Sequence, residues 1–127
     1  MKLTIASGVR AAVLAHTRAE HPREACGMLL GVGGAATRSI AAANVAVRPE
    51  AGFEIDPAAL LRVHREARGA GEAVLGHYHS HPNGRAEPSR TDAARAVQDG
   101  QVWLIAANDT LSAWTMSASG FVAVELA

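Results

Sequence analysis

The sequence predicts an α/β domain. Short apolar runs of strand length alternate with stretches of helical spacing. Asp56-Pro57 is a clear helix start, an N-cap residue followed by proline in the first turn. Gly33-Gly34, Asn108-Asp109 and Ser119-Gly120 punctuate the chain where neighbouring strands would turn. At 127 residues the chain fits one domain, residues 1–127, and can bury a core.

In chain order, Leu3 to Ile5 reads as a short strand, and Ser7 to about Glu20 as an amphipathic helix ended by His21-Pro22. Ala25 to Val32 is a buried strand, closed by the Gly33-Gly34 hairpin turn. Thr37 to Val47 forms one or two strands. The helix begun at Asp56-Pro57 runs to about Arg68 and stops at Gly69-Ala70-Gly71. Ala73 to Ser80 is a strand, and Ser89 to Gln98 a helix. Gln101 to Ala106, Leu111 to Met116 and Phe121 to Leu126 are three closing strands. His16, His21 and His64 fall in helical patterns.

Hydrophobic residues make up 49% of the chain, aromatics only 4%, so Val, Leu, Ile and Ala must build most of the core. The formal net charge is zero, and Lys2 is the only lysine. Nothing in that balance recommends a nucleic acid or a membrane as partner. No stretch is long and apolar enough to span a bilayer. Met1 to Ile5 leads directly into a helix rather than into a signal peptide, so a cytoplasmic location is expected. Cys26 is the only cysteine, which rules out an internal disulfide. A buried, inert thiol is the expected role. Two residues beyond Glu24, it shares that residue's face of an ideal strand.

The chemistry concentrates in His79-Ser80-His81-Pro82, followed by Ser89 and Asp92. On a strand, residues i and i+2 face the same side, so His79 and His81 can reach one ion. Pro82 stops the strand, and Asn83-Gly84 turns the chain. The loop is long enough to bring Asp92, in the first turn of the next helix, back over the strand end. Two imidazoles and a carboxylate suit zinc better than magnesium or calcium. Three protein ligands leave a fourth tetrahedral position for water, the arrangement of a catalytic site. Zinc lowers the pKa of such a water from 15.7 to about 7. Glu24, in Pro22-Arg23-Glu24-Ala25-Cys26-Gly27, is the candidate general acid/base, and Ser89 could donate to a developing oxyanion.

These residues resemble the JAMM (MPN-plus) zinc metallopeptidases: an upstream Glu, then His-x-His-Pro, then Ser-x-x-Asp. Here the pattern reads Glu24, His79-Ser80-His81-Pro82 and Ser89-Arg90-Thr91-Asp92. Glu24 to Gly31 and Phe53 to Pro57 look like the small bacterial branch, so the resemblance covers nearly the whole chain. It implies an MPN domain with a mixed, curved β-sheet flanked by helices. His79, His81 and Asp92 would be the zinc ligands, Glu24 the general acid/base, and Ser89 the oxyanion support. It further implies hydrolysis of an amide bond after the C-terminal tail of a ubiquitin-fold, sulfur-carrier protein, with zinc-bound water as nucleophile.

Each element also has a plainer reading. Ser-x-x-Asp ahead of a helix is a capping box, a role that can coexist with metal binding by Asp92. His-x-His by itself is weak, and a lone glutamate is usually a solvated carboxylate. His77 continues the alternation onto the same face, but a fourth protein ligand would close the open position, so it is expected to line the pocket. A non-catalytic MPN scaffold and a RadC-like DNA-repair protein stand as the alternatives.

Overall fold

The computed structural model describes residues Met1–Ala127. It contains seven strands and three helices: β1 Lys2–Ile5, α1 Ser7–Glu20, β2 Cys26–Val32, β3 Ala35–Ala42, α2 Pro57–Gly69, β4 Ala73–Ser80, α3 Arg90–Arg95, β5 Val102–Ala107, β6 Thr110–Ser117 and β7 Gly120–Leu126. The strand order β1-β3-β2-β4-β5-β6-β7 closes on itself, because β1 pairs in parallel with both β3 and β7. The β4–β5 pair is also parallel and the remaining pairs are antiparallel, so the sheet is mixed.

Local chemistry sets most boundaries. The Asp56 carboxylate accepts from the Ala58 backbone N–H at 3.2 Å, and Pro57 occupies the first turn of α2. Asn108 and Asp109 take positive φ of 49° and 63°, the backbone of a two-residue hairpin between β5 and β6. Three expectations are corrected. The third helix covers only Arg90–Arg95, not Ser89 to Gln98, because Ala96 already adopts an extended ψ of 143°. The second hairpin strand is Ala35–Ala42, not Thr37 to Val47; beyond it the chain leaves the sheet, and Asn44 forms an isolated antiparallel bridge with Ile55. His21 lies just past the end of α1 rather than within it.

Strand alternation gives the sheet two differently used faces. Leu29 on β2, Tyr78 on β4 and Leu104 and Ala106 on β5 point to the side that α1 covers with Val9 and Val13. Met28 and Leu30 point the other way, against Val63 and Ala67 of α2. The β2–β4 register sets Cys26 opposite His79 and Met28 opposite His77, so both histidines lie on the α2 side. Both phenylalanines and both tryptophans gather on that side with Cys26. Four of the five Phe, Trp and Tyr residues thus share one side of the sheet, and Tyr78 alone lies on the other. On the α1 side, His16 Nδ1 meets the Tyr78 hydroxyl at 2.7 Å and anchors the helix to β4.

Close backbone approach makes Gly76 essential to this arrangement. A Cβ there would lie 2.1 Å from the Val102 carbonyl oxygen, and backbone cannot yield as a flexible side chain would. Gly76→Ala should therefore destabilise the protein by about 1–3 kcal/mol or more. Urea titration would show it as a lower midpoint, and an unchanged midpoint would contradict the β4–β5 packing.

Candidate metal centre

His79 is the last residue but one of β4, and His81 continues the ladder past the strand's end by donating its backbone N–H to the Ala106 carbonyl at 2.9 Å. The chain then turns through Gly84, whose φ is +79°, and the Arg85 N–H bonds to the Asn83 side chain at 2.9 Å. Ser112 of β6 ties this loop down by donating to the Ala86 carbonyl at 2.7 Å. α3 then starts with a reciprocal cap. The Asp92 N–H donates to Ser89 Oγ at 3.0 Å, and the Ser89 N–H donates to Asp92 Oδ2 at 2.9 Å. The capping reading and the clustering of Asp92 with the histidines therefore coexist.

The structure brings together the three residues expected as ligands. His79 Nε2 and His81 Nε2 are 3.1 Å apart, and they lie 3.2 and 3.1 Å from Asp92 Oδ2. All three residues are buried, and together they form a group able to hold a metal ion. Tetrahedral bonds of about 2.0–2.1 Å would space donor atoms by roughly 3.3 Å, close to this triangle. His81 Nδ1 donates to the Arg85 carbonyl at 2.7 Å, which leaves the Nε2 lone pair facing the cluster. His79 Nδ1 is buried without a hydrogen-bond partner, so this ring lacks the support that His81 has. The donor set fits a zinc ion.

The electrostatics agree with this picture. Burial pushes the His79 pKa down, favouring the neutral ring that a metal requires. Burial also opposes ionisation of Asp92, but hydrogen bonds from His79 and His81 overcome it and hold Asp92 well below the usual carboxylate range. For His81, burial is outweighed by the hydrogen bonds to Asp92 and the Arg85 carbonyl, so its pKa rises. The attraction that would hold a proton between these groups would equally hold a cation.

Glu24 lies just before β2, 6% exposed. Its backbone is pinned on both sides: its N–H donates to the Pro49 carbonyl at 2.7 Å, and its carbonyl accepts from Asn44 Nδ2 at 2.9 Å. Glu24, His81 and Ser89 line one cleft of about 790 Å³. Loss of hydration raises the Glu24 pKa to about 7, with His81 working against the rise and Asp92 adding to it. Such a carboxyl can both accept and release a proton near neutrality.

His77 and Cys26 stay outside the cluster. The His77 ring packs edge-on against Trp103 at 4.4 Å, and burial lowers its pKa to about 3. The Cys26 thiol is fully buried, and burial followed by the charge of Glu24 raises its pKa to about 12, so it is no nucleophile at neutral pH. Three neighbours of the site escaped the sequence reading. Phe53 stacks on His79 with centroids 4.3 Å apart at 19°. Arg95 donates to the Phe53 carbonyl. Asn44 also bonds to the Gly52 carbonyl at 3.0 Å and accepts from the Glu54 N–H at 3.1 Å, fastening the segment that carries Phe53. An aromatic shortly before Asp56-Pro57 was the only available signal for any of them.

The sequence profile described as "Prokaryotic homologs of the JAB domain" matches residues 6–117. The chain belongs to this family. Among similar proteins is the desampylase of Haloferax volcanii, 36% identical over 123 residues, covering 90% of this chain and 88% of that protein. The CysO-cysteine peptidase of Mycobacterium tuberculosis is 36% identical over 110 residues, covering 84% of this chain and 75% of that one. The solution structure of a Desulfitobacterium hafniense protein superposes with a TM-score of 0.88 at 28% identity, covering 98% of this chain and 91% of that one. The fold is that of a JAB/MPN domain, with the mixed sheet and flanking helices expected.

Glu24 has a folded-state pKa of about 7 against 4.5 for the free side chain. Its contribution to stability is therefore intact below about pH 4.5 and lost as the pH rises through about 7. In chelator-treated protein, Glu24→Gln should raise the urea midpoint at about pH 8 and leave it nearly unchanged at about pH 4. Equal shifts at both pH values would contradict the burial of this carboxyl.

Proposed function

We infer that the protein cleaves an amide bond following the C-terminal tail of a ubiquitin-fold, sulfur-carrier-type protein. It is a JAMM-type metallopeptidase. The observation that carries this reading is the buried triangle of His79, His81 and Asp92 beside a cleft that also holds a carboxyl with a pKa near neutrality. The relatives called desampylase and CysO-cysteine peptidase support the substrate class. The complete donor set sets the chain apart from a non-catalytic MPN scaffold.

In the proposed mechanism His79, His81 and Asp92 would hold one zinc ion. The bound zinc would acidify a water and polarise the scissile carbonyl. Glu24 takes the proton of the attacking water on its carboxylate and passes it to the leaving nitrogen. Its desolvated setting suits both halves of that task. Ser89 Oγ already accepts the Asp92 N–H, so its own proton is free to be donated to the oxyanion that forms. His81, oriented by the Arg85 carbonyl, keeps a fixed tautomer throughout.

Protein purified without chelator should contain about one zinc per chain by elemental analysis. It should release the C-terminal extension from a ubiquitin-fold carrier whose terminal glycine is amide-linked. A folded protein that refuses zinc would sink the reading. Glu24→Gln should retain zinc while losing about a hundredfold to ten-thousandfold in kcat. Ser89→Ala should also retain zinc and lose roughly a hundredfold or more. His79→Ala and Asp92→Ala should lose the metal itself, and normal zinc content in both would remove them from the ligand set.

A further inference from the structure

The two histidines of the cluster are oriented by different means. His81 is fixed by a hydrogen bond from Nδ1 to the Arg85 carbonyl at 2.7 Å. His79 has no such bond, because its Nδ1 is buried without a partner. What defines the plane of its ring is aromatic packing: Phe53 stacked at 4.3 Å and 19°, with Trp103 edge-on at 5.8 Å. Trp103 belongs to β5 and is set by the sheet. Phe53 stands on the irregular segment between β3 and α2 and needs something else to hold it.

Arg95 does this. Its guanidinium donates to the Phe53 carbonyl and lies 5.6 Å from the centre of the Phe53 ring, grasping both backbone and face of one residue. It forms no ion pair with any carboxylate. Arg95 is one turn beyond Asp92 on α3. We propose that Arg95 and Phe53 are positioning residues for the metal centre, clamping the His79 ring so that α3 sets two of the three ligands, Asp92 directly and His79 through Phe53. The proposal rests on the zinc site inferred above. It predicts that substitution of an exposed arginine with no contact to the ion changes the geometry of that ion's coordination.

Cobalt(II) substitution reads this directly, because its visible absorption reports ligand geometry, and zinc competition against a chromophoric chelator gives the affinity. Arg95→Met keeps the aliphatic stem on an exposed side chain and removes the fork; Phe53→Leu keeps apolar volume and removes the ring. Both should shift the cobalt bands and weaken zinc binding by about tenfold to a hundredfold, the range seen when groups supporting a metal ligand are lost. Phe53→Tyr, which restores the stacking face, should return both readings to near wild type. A purely structural role would lower the melting temperature of the chelator-treated protein without altering the cobalt spectrum. If Arg95→Met, which needs no repacking of the core, leaves spectrum and zinc affinity unchanged, the clamp is overturned. Failure of the wild-type protein to bind either metal would overturn the clamp together with the zinc reading, whereas unchanged variants of a metal-binding wild type would overturn the clamp alone.

Discussion

Three electron-pair donors held 3.1–3.2 Å apart in a buried site repel one another unless a proton or a metal cation lies between them. Keeping them there is the constraint around which the rest of the structure is organised. The strand end supplies two donors at one spacing, and the first turn of a short helix supplies the third. Every connection between those pieces is tied: the His81 N–H to β5, the loop to β6 through Ser112, and the helix start through the reciprocal Ser89–Asp92 cap. The helix spans only Arg90–Arg95, enough to carry the cap, Asp92 and Arg95.

The same burial that makes the cluster costly makes Glu24 useful. A carboxyl in water is ionised well below neutrality and is a poor acid. Stripped of solvent and backed by the charge of Asp92, Glu24 sits near pKa 7, where donation and acceptance are both accessible. Burial, with the charge of Glu24 adding to it, pushes the Cys26 thiol up to about 12 and keeps it out of the chemistry. One environment thus sorts the nearby ionisable groups into a carboxyl poised near neutrality and an inert thiol.

Much of this was legible in the chain. β4 runs from Ala73 to Ser80 as the apolar run and Pro82 indicate, and α2 starts at Asp56-Pro57, because strand breakers and helix caps act through adjacent residues. The end of α3 was not legible. Ala96 and Val97 are good helix neighbours by pattern, yet Ala96 packs beside Cys26, Phe53 and Trp103 and the chain turns extended there. Residues 43–47 likewise read as strand, but Asn44 takes up the backbone groups of Glu24, Gly52 and Glu54 that a strand would have left to its neighbours.

The sequence by itself determined the candidate metal-binding set, because His79 and His81 share a strand face by alternation and Ser89 and Asp92 share a helix turn by spacing. It equally determined that charge is balanced and that no disulfide can form. Only the tertiary structure decided that the sheet closes through β1, that Glu24 is desolvated, and that Phe53, held by Arg95, stacks on His79. Those outcomes depend on contacts between residues dozens of positions apart, such as Arg95 and Phe53 or Glu24 and His81. Local periodicity carries no information about which distant surfaces meet, and pKa, burial and ring packing all follow from that meeting.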